Sequence, residues 1–135
     1  MFEEIPGIEM IEEDKKTILE QGLSWSFDEE ISSRITCIRA KVKKETGQLE
    51  LAGIALYKKQ LSSDNAATLL ILAVKNNHKR KGIGTACIDY LAHTTQCEKI
   101  ELIARPEAVD FYRKRGFQQQ PFFEIMLTKE IVKNK

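Results

Sequence analysis

Residues 78–85, HKRKGIGT, set three cationic side chains, Lys79, Arg80 and Lys81, beside a turn marked by Gly82 and Gly84. The chemistry this suits is the holding of an anion, above all a phosphate or diphosphate. An unbroken apolar run over residues 69–74 precedes the turn, and its length predicts a strand covered on both faces or central in a sheet. A helix is predicted to begin at about Gly82. The two glycines remove side chains where the first helical turn exposes unpaired N–H groups, so backbone can approach a ligand closely. Those N–H groups carry the positive end of the helix dipole. Other phosphate-binding patterns fit less well. No GxxxxGK followed by Ser or Thr occurs, and GxGxxG matches only in its first two glycines because Cys87 stands where the third belongs. Glu101, at the distance of a ribose-binding acid, falls inside a predicted strand rather than at its end.

The elements that must position this turn can be read in order. Near the N-terminus two readings stand: a short strand over residues 8–11 followed by a helix over 15–21 with Asp14 as its cap and Gly22 as its stop, which we prefer, or one helix from near Pro6 with Ile8, Ile11, Ile18 and Leu19 as its stripe. Residues 24–33, SWSFDEEISS, read as a surface loop or helical turn anchored by Trp25 and Phe27. The sharper alternative is that Asp28, Glu29 or Glu30 attracts a cationic amine. Residues 34–43 alternate and pair with 49–61 as an antiparallel hairpin, Gly53 being a candidate bulge. Residues 62–65 form the turn into the central strand. Beyond the basic turn, Ile83, Cys87, Ile88, Tyr90 and Leu91 recur at helical spacing, and His93 near that helix's end reads as a capping or surface residue. Residues 99–104 are the next strand, and strand, helix, strand over this distance predicts a right-handed parallel crossover. Pro106 at the first helical position and Gly116 beyond the last bound another helix, with Phe117 folding back on Phe111 or Tyr112. Residues 122–128 close the chain as an antiparallel strand whose uncovered edge could pair two copies.

With 135 residues, 42% of them hydrophobic, and no internal repeat or linker, residues 1–135 are expected to form one domain. A net charge of +1 argues against a dedicated nucleic-acid binder. Cys37, Cys87 and Cys97 lack metal or redox spacing and are expected to be reduced, buried or half-buried thiols, so no metal is called for. The acidic N-terminus and the lack of a spanning apolar run lead to the expectation of a cytoplasmic protein with no membrane contact.

From Val74 onward, V-x-x-x-x-K-R-K-G-I-G resembles the Arg/Gln-x-x-Gly-x-Gly/Ala signature of the GNAT superfamily of acyl-CoA-dependent N-acetyltransferases. Lys79 takes the Arg/Gln place, keeping the charge without the planar fork, and Asn76 replaces a frequent proline. Residues 108–117, AVDFYRKRGF, are similar to the family's second marker, Ala-x-x-Phe-Tyr-x-x-x-Gly-Phe. The two together span residues 68–117.

The resemblance implies an α/β (α+β) fold: a single domain with a mixed, mostly antiparallel twisted sheet, a splayed parallel strand pair, and helices on both faces. It implies acetyl-CoA as cosubstrate, its pantetheine arm along Leu72, Ala73 and Val74, its diphosphate on Lys79, Arg80, Lys81, Gly82, Ile83, Gly84 and Thr85, with Phe111 alongside. By the same resemblance Tyr112 is the general acid for the departing thiolate, and the backbone N–H of Val74 stabilises the oxyanion. A phenol of pKa about 10 is chemically suited to that donation. Glu101 is a candidate base and Glu30 another, while Arg105 stands where an asparagine contact to the cofactor is common. Direct transfer through a tetrahedral intermediate to a primary amine of a small molecule or peptide follows, since no cysteine falls in a motif. The alternatives are a catalytically silent acyl-CoA-binding or interaction module and, third, a nucleic-acid binder using residues 78–81. The acceptor is not named by the sequence, and both a monomer and a homodimer are compatible with it.

Overall fold

The computed structural model describes residues 1–59, 65–120 and 123–131. Its first strand, β1 (Phe2–Pro6), comes earlier than the spacing predicts, and residues 8–11 are not a strand: a 3-10 turn (Gly7–Glu9) leads into α1 (Glu12–Glu20). The reason is burial. Ile8 and Ile11 are more than half exposed, so the apolar spacing there reflects no buried stripe. Asp14 sits inside α1 and reaches back to accept the Ile11 N–H at 2.8 Å. Gly22, in the left-handed region at φ +72°, follows the helix end as expected.

A short helical turn, α2 (Glu29–Ser32), is capped by Asp28, whose carboxylate accepts the Ile31 N–H. Trp25 and Phe27 anchor this segment on the sheet. The hairpin pairs β2 (Thr36–Lys43) with β3 (Leu49–Lys59). Its register shift leaves Ala52 as the extra residue, so the bulge falls beside Gly53 rather than on it. Gly53 is needed for a different reason, because a Cβ there would stand 3.0 Å from Ile83 Cγ2 and 3.1 Å from the Ala73 carbonyl.

β4 (Ala66–Val74) leads through a 3-10 turn (Asn76–His78) into α3 (Ile83–Thr94), then β5 (Lys99–Ile103). A 3-10 turn (Pro106–Ala108) opens α4 (Val109–Arg113), and β6 (Gln118–Gln120) and β7 (Phe123–Glu130) finish the fold. Predicted residues 60–64 and 122 lie outside the described residues. Among the described residues the strands form one seven-stranded sheet, in the order β1-β2-β3-β4-β5-β7-β6. β4 and β5 are parallel and the other pairs antiparallel. β7 is therefore interior, paired on both sides, and the expectation that the last strand offers a free edge is corrected. β6 covers it.

The sheet is buried on both faces, which explains why β3 is continuously buried from Leu51 to Tyr57. One face packs Ile38, Ala55, Leu69, Ile100 and Leu102 under Cys87, Ile88 and Leu91 of α3, with Phe117 and partly buried Phe111 and Tyr112 beside them. The other packs Cys37, Ile54, Leu56 and Ile71 under Ile18 of α1. All three cysteines are buried and free, and burial pushes the Cys37 and Cys87 thiols up to about 12. Among the described residues no helix is long and apolar enough to cross a membrane.

Candidate functional site

The parallel strands meet only at Ala66, Ala67 and Thr68, opposite Lys99, Ile100 and Glu101. Beyond that point they pair no further. The register of β4 against β3 shifts by one residue at Leu70, and a bulge of this kind bends its strand. The bend accounts for the fork between β4 and β5. Lys75 donates to the Ala52 carbonyl at 2.8 Å, which fixes the phase of the ladder. Since antiparallel hydrogen-bonded and non-bonded positions alternate, the N–H groups of Leu72 and Val74 point away from β3 and into the fork.

At the fork's mouth, Gly82 caps α3 in the left-handed region at φ +79°. The first intrahelical bond runs from the Ala86 N–H to the Gly82 carbonyl, so the N–H groups of Ile83, Gly84 and Thr85 have no acceptor within the helix. Gly84 is buried against α4, where a Cβ would stand 3.1 Å from Phe111 Cζ. Lys79, Arg80 and Lys81 are exposed, and none of them pairs with a carboxylate among the described residues. Arg80 holds φ +65°, a conformation that costs a side-chain-bearing residue roughly 1–2 kcal/mol. Arg80→Gly is therefore expected to raise the denaturant midpoint where Arg80→Ala does not, and an equal response of the two variants would argue against strain at this position.

The fork and the mouth together form one cleft of about 630 Å³. α4 supplies Phe111, Tyr112 and, from the turn that follows it, Arg115. Tyr112 packs edge-on against Phe111 and Phe117, at centroid distances of 5.0 and 5.5 Å, so the predicted clasp forms on Tyr112. Burial pushes its phenol up to about 12, and the positive charge of Arg115 opposes that shift. The group stays protonated across the physiological range.

The far side of the cleft is closed from α1. Gln21 Nε2 donates to Asn76 Oδ1 at 3.2 Å, just past β4, while Arg105, just past β5, donates to the Gly22 carbonyl at 2.8 Å. The end of α1 is thus tied to both arms of the fork. Leu23, Leu70 and Ile103 line this side, Ile103 being 74% exposed. Among the described residues no three His, Cys, Asp or Glu side chains gather to hold a metal ion.

The model of the acetyltransferase (GNAT) domain matches residues 35–119. The chain belongs to the GNAT family. No curated protein matches it by sequence. Its fold is similar to that of a Bacillus subtilis acetyltransferase solved in complex with CoA, at a TM-score of 0.72 and 18% identity over 98% of this chain and 100% of that one. An IAA acetyltransferase from Bacillus cereus gives 0.69 and 19%, covering 96% and 98%. N-acetylglutamate synthase from Neisseria gonorrhoeae, with coenzyme A and N-acetyl-glutamate, gives 0.68 and 18%, covering 98% of this chain and 36% of that larger one.

Of the residues the GNAT resemblance implies, Leu72, Val74, Lys79, Arg80, Gly82, Ile83, Gly84, Thr85, Phe111 and Tyr112 all line the cleft. Ala73 turns its side chain into the core beneath α1, and Lys81 lies outside the lining. Neither candidate base is among the lining residues. Glu101 accepts from Thr68 Oγ1 at 3.2 Å where the strands still pair, on the same side of β5 as Ile103 and two residues deeper. Glu30 is exposed and paired with Arg34.

Among the residues of this GNAT cleft to which sequence reasoning gave no acyl-CoA role are two with buried or half-buried polar side chains, His78 and Arg115. His78 is 5% exposed, bonded through Nε2 to Glu50 at 3.2 Å, and its Nδ1 is buried without a partner among the described residues. Arg115 stands in a basic run that reads as solvated. Its spacing four residues after Phe111, which in the helix predicted up to Gly116 puts both on one face, was the available signal, although the observed α4 ends at Arg113 and leaves Arg115 in the turn.

Proposed function

We propose that this protein is an acetyl-CoA-dependent N-acetyltransferase that moves an acetyl group directly to a primary amine. One observation carries the reading: the strands fork where inward-facing N–H groups, an anion cradle and a protonated phenol all border a single cleft. The donor set suits the cosubstrate. Leu72 and Val74 offer backbone N–H groups to an extended amide-bearing arm, while residues 82–85 offer N–H groups to a diphosphate, with Lys79 and Arg80 adding charge. Coenzyme A supplies the acetyl group as an activated thioester.

In this reading the Val74 N–H faces the thioester oxygen, and Tyr112 gives its proton to the departing sulfur. The amine must arrive neutral, which for a lysine-like group of pKa about 10.4 costs roughly 4.6 kcal/mol at pH 7. Glu101 is the candidate acceptor of that proton through water along the β5 face. That neither Glu101 nor Glu30 lines the cleft favours a second reading, an acyl-CoA-binding module without turnover.

A thiol-release assay with acetyl-CoA against a panel of small amines, polyamines and peptides separates the two. Amine-dependent release is expected for at least one class, together with a rise in melting temperature with free acetyl-CoA. Thermal stabilisation without release across the panel would leave the silent module, and neither effect would remove both.

A further inference from the structure

Arg115 is half-buried in the cleft; its carbonyl accepts from Lys129 Nζ at 2.7 Å, while among the described residues its guanidinium contacts only neutral groups. Nε donates to Thr85 Oγ1 at 2.6 Å, Nη1 to the Phe111 carbonyl at 2.6 Å, and the guanidinium carbon lies 3.6 Å from the Phe111 ring centroid. No carboxylate pairs with it among the described residues. A partly desolvated cation without a counter-charge is costly, and a guanidinium retains donors beyond the two used here. The cleft does not supply the missing charge: Lys79, Arg80, Arg105 and Arg115 line it against one carboxylate, Glu107.

The position says which anion fits. Thr85 belongs to the first turn of α3, so the hydroxyl that Arg115 grips lies beside the N–H groups that precede the first intrahelical bond. Arg115 reaches this point from the opposite wall, holding Phe111 against Gly84 as it does so. We propose that Arg115 is a further ligand-binding residue, a side-chain cation that closes the α3 cradle from the α4 side and pairs with the diphosphate of the acyl carrier. The inference rests on the acyl-CoA reading and adds to it a charge contact from the second helix, where the cradle alone offers backbone N–H groups and the exposed cations 79–81.

The test is calorimetric titration of wild type, Arg115→Gln and Arg115→Lys with three probes: CoA, dephospho-CoA, which keeps the diphosphate but lacks the 3′-phosphate, and pantetheine, which lacks both. Arg115→Gln is expected to weaken CoA and dephospho-CoA equally, by about tenfold or more, and to leave pantetheine unchanged, with Arg115→Lys in between because it keeps charge without the fork. Equal loss for pantetheine would assign Arg115 a packing role through Phe111, and loss for CoA alone would assign it to the 3′-phosphate. Either result, or unchanged affinities, overturns the proposal. Wild type that binds no CoA would remove the acyl-CoA reading itself, whereas wild type that binds while the variants match it removes only the role of Arg115. Melting temperatures of the ligand-free variants accompany the titrations, and Arg115→Lys supplies the comparison if Arg115→Gln folds poorly.

Discussion

Tyr112→Phe is expected to lower kcat by roughly 10²–10⁴-fold while CoA affinity stays at the wild-type level. The substitution removes one oxygen and keeps the ring, so the edge-on packing with Phe111 and Phe117 survives. Only the hydroxyl, and with it the transferable proton, is lost. A change in KM with kcat intact would mean that the hydroxyl binds rather than donates, and unchanged turnover would end its role as the acid. The pH profile gives an independent check with a definite sign. Burial pushes the phenol up to about 12, so its acid form persists until pH nears that value. Wild-type kcat should therefore show no alkaline fall from this group below about pH 11, whereas a phenol of ordinary pKa about 10 would begin to lose its proton near pH 9. The amine acceptor moves the other way, becoming neutral and more reactive as pH rises, so the expected rate climbs through this range.

The parts of the site legible in the sequence are those fixed by local backbone chemistry. An apolar run, two glycines and a helical stripe specify strand, turn and helix from Thr68 onward with little help from distant residues. What distant pairing decides was not legible. β6 is Gln118–Gln120, with no apolar signal, and is a strand because β7 pairs with it. β1 carries only Phe2 and Ile5 as half-buried positions, too short an alternation to stand out beside the exposed Ile8, Ile11 and Leu19. The bulge at Leu70 that opens the fork leaves no mark in an all-apolar run. Arg115 and His78 belong to the cleft through contacts with Thr85 and Glu50, which tertiary packing alone brings near.

The largest expected loss of stability follows from Asp14. Its carboxylate is 1% exposed and accepts three hydrogen bonds: the Ile11 N–H at 2.8 Å, Arg39 Nε at 2.9 Å and Arg39 Nη2 at 2.6 Å. Arg39, on β2, also reaches Glu3 of β1 at 2.6 Å, so one guanidinium fastens α1 and the edge strand to the sheet. Asp14→Ala leaves that guanidinium, with a side chain only 13% exposed, facing one half-exposed carboxylate, and uncaps the helix as well. Breaking such a pair from one side costs about 3–5 kcal/mol. The expected fall in melting temperature is on the order of 10–20 °C. Asp14→Asn keeps the volume and an oxygen for the Ile11 N–H, so its loss should be smaller. Because α1 ends at the Gln21 and Gly22 contacts that span the fork, acceptor-dependent turnover in Asp14→Asn should fall more than CoA affinity, whose proposed residues lie on β4, the turn into α3 and its first turn, and α4 with the turn after it. A loss below about 1 kcal/mol for Asp14→Ala in denaturant unfolding would place this contact among the weak surface pairs. An equal loss of CoA affinity and turnover in Asp14→Asn would show that α1 does not act on the acceptor side alone.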